Sequence, residues 1–201
     1  MQQTILCLDM EWVLTPEIWE EVAKTTWIEE LMLTTKDIAD YDELMAHRLK
    51  YVNENNLTIH DIEKIISTMD PFEWAVEFLD RAKEKMQVII LSDTFIEFAR
   101  PLVKKMKQTT IFCHNLLVDD NGKITWYKLR VDDQKTKTVK KFKELNFQAI
   151  AAGDSFNDTG MLQEAHYGFF FKPSPKTVVQ FPDLEIANNY EELKVFIDKS
   201  L

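Results

Sequence analysis

A chain of 201 residues with 45% hydrophobic content is long enough for one core domain and a modest insertion, and nothing in its composition suggests disorder. A formal charge of −10 and an isoelectric point near 4.9 argue against nucleic acid or an anionic membrane surface as a bulk electrostatic partner. No window approaches the ~20 apolar residues of a membrane span, no leader pattern opens the chain, and Cys7 and Cys113 read as buried thiols, so the expected location is the cytoplasm.

The first predicted strand, 4–8, is the apolar run Ile5-Leu6-Cys7-Leu8, and it leads straight into Asp9-Met10-Glu11. From about Thr15 to Met69 there is no good strand, only helical stretches around 17–25, 40–54 and 58–68. Strand-helix-strand crossovers rarely need so many residues, so 15–71 is expected to be a small helical cap inserted behind the first acidic motif. On its second helix Tyr41, Leu44, Met45 and Val52 form one apolar stripe with Arg48 in the middle, a charge that wants a partner.

Asp70-Pro71 opens a predicted helix over 72–85, followed by a strand at 87–91, Ser92-Asp93-Thr94, a helix over 95–106 and a strand at 109–113. Asn121-Gly122, between Leu116-Leu117-Val118 and Ile124-Thr125-Trp126-Tyr127, signals a β-hairpin. A lysine-rich helix over 136–145 precedes the strand 147–151, which runs into Gly153-Asp154-Ser155-Phe156-Asn157-Asp158. A helix over 157–165, a strand at 167–171 and helices over 175–180 and 190–199 complete the chain. The alternation predicts an α/β fold: a Rossmann-like open, mainly parallel sheet flanked by helices, with a core of 1–14 and 72–201.

In such a sheet ligands bind where strands end, and two acidic clusters there are what a magnesium-dependent phosphoryl-transfer site needs. Asp9 is the candidate nucleophile, and Glu11 the candidate acid that protonates the leaving oxygen and then activates water. Ser92, with nearby backbone N–H groups, is expected to bind a phosphate oxygen, and Lys135 to neutralise phosphate and nucleophile together, with Lys137 as its open alternative. Asp154 is expected to hold Mg²⁺ alongside Asp9, with Asp158 orienting that set. Taken singly, each piece has a plainer reading as a turn, a helix cap or a solvated face; their order and their places behind strands favour chemistry. The four histidines share no metal-ligand spacing, Cys113-His114 reads as a strand end, and the aromatic residues are assigned to packing.

The order of aspartate, hydroxyl, lysine and acidic pair resembles the four-motif signature of the haloacid dehalogenase superfamily. Residues Ile5 to Leu14, the cap, Val88 to Thr94 and Ile150 to Asp158 resemble its phosphoserine phosphatase branch. Glu11, the run from Val13 to Trp19 and Leu91-Ser92-Asp93-Thr94 are similar to the bacterial subgroup that also acts as phosphoserine:homoserine phosphotransferases. The resemblance implies phosphoserine hydrolysis through an aspartyl-phosphate, and leaves transfer to homoserine open. It also implies Glu17 and Arg48 as substrate binders, Ser92, Asp93, Lys135 and Asn157 around the phosphate, and Asp9, Asp154 and the Glu11 backbone carbonyl around Mg²⁺. Trp12, Trp27 and Trp74 depart from the pattern, standing where those relatives usually carry glycine. Trp12 adjoins Glu11, where a bulky ring could narrow the pocket. Two alternatives therefore stand beside the main expectation: a phosphatase for another small phosphomonoester, and a catalytically silent phosphometabolite-binding protein. The sequence does not set the oligomeric state.

Overall fold

The computed structural model describes residues 2–34, 37, 38 and 40–201. At its centre is β1 (Gln3–Leu8), whose successive side chains face opposite ways: Leu6 and Leu8 enter one core, Ile5 and Cys7 another. A strand buried on both faces needs a continuous apolar run, which is what these four residues supply. β1 pairs in parallel with β2 (Gln87–Phe95) on one side and β5 (Phe147–Gly153) on the other. β6 (Tyr167–Phe171) and β7 (Glu185–Ala187) continue the sheet beyond β5. Beyond β2 lie β3 (Thr110–Val118), parallel, and β4 (Ile124–Lys128), antiparallel. In the resulting order, β4-β3-β2-β1-β5-β6-β7, the chain leaves β1 first to one side and later to the other. The crevice at the carboxyl ends of β1, β2 and β5 is therefore the topological switch point.

One face of the sheet is covered by α4 (Ala75–Lys85), α5 (Ile96–Lys105) and α9 (Tyr190–Lys199), which contribute Phe78, Phe98 and Leu193 to the core. The other carries α6 (Gln134–Glu144) and α7 (Thr159–Glu164) through Val139 and Met161, and the short α8 (Pro175–Gln180) follows β6. Between β1 and α4 run α1 (Ile18–Thr26), a 3-10 turn at Glu29–Met32, α2 (Tyr41–Glu54) and α3 (Ile59–Thr68). α3 opens with a capping box between Thr58 and Asp61 and buries Ile59, Ile62 and Ile66, the spacing of a single helix face. Its first N–H is taken by the hairpin: Ile59 donates to the carbonyl of Gly122, at 2.8 Å, where the turn needs a φ of +80° that glycine adopts freely. Tyr127 of β4 hydrogen-bonds Asp42 and meets Tyr41 edge-on, tying α2 to the same hairpin. No helix among the described residues is long and apolar enough to cross a membrane.

Several boundaries differ from the sequence expectation. The helix expected from 72 begins at Ala75, because the Phe72 N–H donates back to the Leu14 carbonyl and Trp74 takes a left-handed φ of 71°. The hairpin is not a separate appendage: β3 pairs in parallel with β2 as far as His114 and antiparallel with β4 from Asn115. β2 runs on through Ser92 and Asp93 to Phe95, and the helix expected at 157 starts at Thr159 after a 3-10 turn. β7, three residues at the sheet's edge, is too short for a periodicity to announce it.

Candidate active site

Asp9 follows β1 directly, and its N–H donates to Ala152 of β5 at 3.0 Å, so strand pairing itself holds the residue over the crevice. Behind it the chain closes a tight loop. Leu14 and Thr15 donate to the Met10 carbonyl at 2.8 and 3.0 Å, and Trp12 donates to the Thr15 carbonyl at 2.7 Å; none of these bonds uses the Glu11 carbonyl. The Glu11 carboxylate accepts the N–H of Ile18 at 2.9 Å, at the first turn of α1, where unpaired N–H groups favour an anion.

Lys135, in the first turn of α6, is only 3% exposed and faces three carboxylates: Asp158 at 2.7 Å, Asp9 at 3.0 Å and Asp93 at 3.5 Å. Burial works against its charge, but these three aspartates outweigh it and hold the ammonium well above the ordinary lysine range. Lys137 lies on the exposed side of the helix, paired with Asp132 at 2.6 Å, so Lys135 is the lysine the fold brings to the crevice.

Asp158 is fully buried, and the loop after β5 is wound around its carboxylate. One oxygen takes Lys135, while the other accepts the N–H groups of Asp154 and Ser155 at 3.0 and 3.1 Å. Gly153 makes room for it: a Cβ there would stand 2.4 Å from the Asp158 Cγ. Asp9, Asp154 and Asp158 each offer an oxygen within 4.8 Å of the others. Burial, and then the charge of Asp158, pushes Asp9 well above the carboxylate range and Asp154 up to about 7. Burial and the neighbouring Glu17 push Glu11 up to about 8. Burial and mutual repulsion disfavour charge on these carboxyl groups, and the oxygens of Asp9, Asp154 and Asp158 are all hard donors, the set that suits a divalent cation such as Mg²⁺.

Ser92 is buried beneath the crevice, its Oγ accepting the Thr94 N–H at 3.3 Å, whereas Asp93 and Thr94 line the cleft. Asn157 donates to Asp93 Oδ2 at 3.2 Å, and Ser155 hydrogen-bonds Asn157 in turn. Glu17 and Arg48 line the same cleft of about 1870 Å³, together with Trp19, Tyr41 and Leu44. Arg48 is 5% exposed. Its guanidinium lies 4.9 Å over the Trp19 ring and donates to the Leu33 carbonyl at 2.8 Å, but its buried Nε has no partner among the described residues. Burial lowers the Arg48 pKa, against the pull of Glu17, Tyr41 and Glu11.

Trp12, Trp27 and Trp74 all take positive φ (61°, 60° and 71°), the left-handed region that favours glycine. Trp12 is 45% exposed, with its ring against Phe72 at 6.5 Å between centroids on the cleft wall. Sequence reasoning missed His114 and Gln134, which sit behind Asp93 in this site. The signal available was a histidine inside an apolar strand, since a buried imidazole wants partners.

No family model matches the chain. Over 190 residues it is 47% identical to a phosphoserine phosphatase ThrH of Pseudomonas aeruginosa, covering 94% of this chain and 93% of that protein. It is 46% identical to a phosphoserine phosphatase of Pseudomonas syringae pv. tomato, covering 94% and 80%. Among solved structures, an apo phosphoserine phosphatase superposes with a TM-score of 0.78 at 22% identity, over 96% of this chain and 98% of that one. A phospho-aspartyl intermediate analogue of phosphoserine phosphatase gives 0.72 at 21% identity, over 99% of each. The structures share the fold, and the two sequence relatives match along 94% of the chain. The chain belongs to the phosphoserine phosphatase family.

Proposed function

We propose that this protein hydrolyses phosphoserine to serine through a phosphoryl group carried on Asp9. The observation that supports this most is the buried set of Asp9, Lys135 and Asp158 at the mouth of the sheet, in a cleft also lined by Arg48, whose buried Nε has no partner among the described residues. Asp9 attacks phosphorus, and the serine oxygen leaves with a proton from Glu11, which its raised pKa of about 8 keeps protonated at neutral pH. Glu11, now a carboxylate, takes a proton from water as that water attacks the phosphoryl group and frees Asp9. Lys135 offsets charge on Asp9 and on the phosphoryl oxygens, with Ser92, Asp93 and Asn157 as further phosphate-side residues. Arg48 clamps the substrate carboxylate, and Glu17 lies on the same cap side to take the ammonium.

Asp9, Asp154 and the Glu11 carbonyl would hold Mg²⁺, with Asp158, whose oxygens are already engaged, orienting them. When bound, that ion supplies positive charge to the phosphoryl oxygens. Residues 15–71 act as the cap that closes the cleft from the α1–α2 side. Homoserine as a second acceptor in place of water, and a cytoplasmic setting, are part of the same reading.

The test is Mg²⁺-dependent phosphate release from a panel of phosphomonoesters. Preference for phosphoserine supports the reading. Turnover of other phosphomonoesters without such a preference would make the protein a phosphatase of different specificity, and binding without turnover would make it a phosphometabolite-binding protein.

A further inference from the structure

His114 is 4% exposed on β3, yet it borders the catalytic cleft. Its Nδ1 accepts the backbone N–H of Arg130 at 3.1 Å, so that nitrogen carries the lone pair and the neutral ring's proton sits on Nε2. Nε2 faces Asp93 Oδ1 at 3.6 Å. The Gln134 amide nitrogen approaches the same oxygen at 3.2 Å while donating to the Ser92 carbonyl at 2.5 Å, and Gln134 Oε1 accepts from Arg130 Nε at 3.2 Å. Gln134 Nε2 and His114 Nε2 are 3.4 Å apart, two donors side by side converging on one acceptor.

The other Asp93 oxygen, Oδ2, faces Lys135 at 3.5 Å and accepts from Asn157 at 3.2 Å. Asp93 therefore has one oxygen turned to the scaffold and one to the reacting side. Burial alone would raise its pKa, but Lys135 and the neighbouring His114, Gln134 and Asn157 side chains hold it below the usual carboxylate range. At 3.6 Å the His114 contact is longer than a formed hydrogen bond, and such contacts commonly tighten when substrate fills a site.

We infer that His114 is a positioning residue: its Nε2–H fixes Asp93, and Asp93 in turn sets where Lys135 and Asn157 meet the transferring phosphoryl group. The inference rests on the phosphatase reading above. It assigns the imidazole's two nitrogens different jobs, Nδ1 holding the chain at Arg130 and Nε2 acting on the site.

The two jobs are separable. His114→Asn keeps an acceptor near Nδ1 and removes the Nε2 donor, whereas His114→Gln keeps a donor near Nε2 and removes the Nδ1 acceptor. Steady-state kinetics on phosphoserine, thermal melts, and calorimetric affinity for inorganic phosphate with Mg²⁺ are measured for both. The expected result is a loss of about tenfold in kcat/KM for Asn, falling mainly on kcat, most of it recovered in Gln even where Gln melts lower. Equal activity loss in both variants, or a loss that follows melting temperature, would overturn the inference and leave His114 a packing residue.

Should the Asn variant not fold, His114→Met, close to Gln in size but without the donor, is compared in wild-type and Asp93→Ala backgrounds. A Met effect on kcat that vanishes without Asp93 supports the coupling, and an additive one overturns it. A wild type inactive on phosphoserine would sink the substrate reading alone. The phosphate affinities of Asn and Gln would then decide His114, the inference requiring Asn to bind phosphate more weakly than Gln.

Discussion

Replacing Gly153 with alanine tests whether the site is built around the Asp158 carboxylate. The added Cβ would stand 2.4 Å from Asp158 Cγ, 2.5 Å from its Cβ and 2.6 Å from Oδ2. Relief to ordinary contact distance requires a shift of about 1 Å in a close-packed region, by Asp158 or by the end of β5. Either movement strains the bond to Lys135 at 2.7 Å and the two N–H bonds from Asp154 and Ser155. Overpacking contributes ~1–3 kcal/mol and a weakened charged hydrogen bond ~1.5–3 kcal/mol, against ~0.4–1 kcal/mol gained by restricting the unfolded chain. The net is a destabilisation of roughly 2–5 kcal/mol, a drop of about 5–15 °C in melting temperature for a domain of this size. Misplacing Lys135 and Asp154 by such a distance lowers kcat about 100-fold. Urea titration gives the first quantity through a midpoint that moves at constant slope, and phosphate release gives the second. A Gly153→Ala protein with wild-type midpoint and wild-type kcat would show that Asp158 has room to move and does not anchor the site.

Asp9→Asn keeps shape and loses the nucleophile, so the folded variant should release no phosphate and fail to trap a beryllium fluoride adduct; ordinary turnover would refute the covalent route. Arg48→Ala should raise KM for phosphoserine by about 10- to 100-fold while barely moving KM for a phosphomonoester without a carboxylate; equal losses would make Arg48 structural. Trp12→Gly should stay within about tenfold of wild-type activity, because ~1–2 kcal/mol of relieved left-handed strain is set against ~0.5–1 kcal/mol of added chain entropy and the ring packs on Phe72. An inactive wild type rescued by glycine would mean that the ring blocks the site. Asp154 titrates near 3.8 when unfolded and at about 7 when folded without a cation. The folded protein thus binds more protons between those values, and its stability falls as pH rises through that window. Metal-free protein should melt lower at pH 8 than at pH 5.5, with Mg²⁺ stabilising more at the higher pH; a flat melting profile would refute the raised pKa.

The elements that sequence reveals best are those a single physical rule determines. Buried parallel strands are continuous apolar runs, so β1, β5 and β6 were legible almost to the residue, and Asp9 and Asp154 behind two of them followed. Arg48 was legible because a guanidinium inside an apolar helical stripe is costly without a partner, and its Nε, without a partner among the described residues, points to the same need. Lys135 and Lys137 could not be separated by pattern, since both are early residues of one helix; only the turn of α6 buries one and exposes the other. The start of α4 was misread because Pro71 is a favourable helix opener locally, while the Phe72 bond to Leu14 is a contact 58 positions away in sequence. His114 and Gln134 escaped for a related reason: their partners come from β2, β3 and α6, and no spacing along the chain encodes that meeting.

The charge of the site follows from how its carboxylates divide. Asp93 and Asp158 both face Lys135; Asp158 also takes two backbone N–H groups, and Asp93 is held low by its neighbours. Asp9, Glu11 and Asp154 are pushed the other way, first by burial and then by neighbouring carboxylates. Where Asp9 and Asp154 are ionised, a phosphate group entering a protein of net charge −10 meets them as a repulsion. Asp9 and Asp154, with Asp158, present oxygen donors at one end of the sheet, so the carboxylates that repel phosphate are also those that draw a divalent cation. Cation and phosphate should therefore bind with strong mutual dependence. Inorganic phosphate affinity measured by calorimetry with and without Mg²⁺ should differ by at least about tenfold, the equivalent of ~1.4 kcal/mol of coupling. Equal affinities would mean that Lys135 alone suffices, which its pairing with three aspartates argues against.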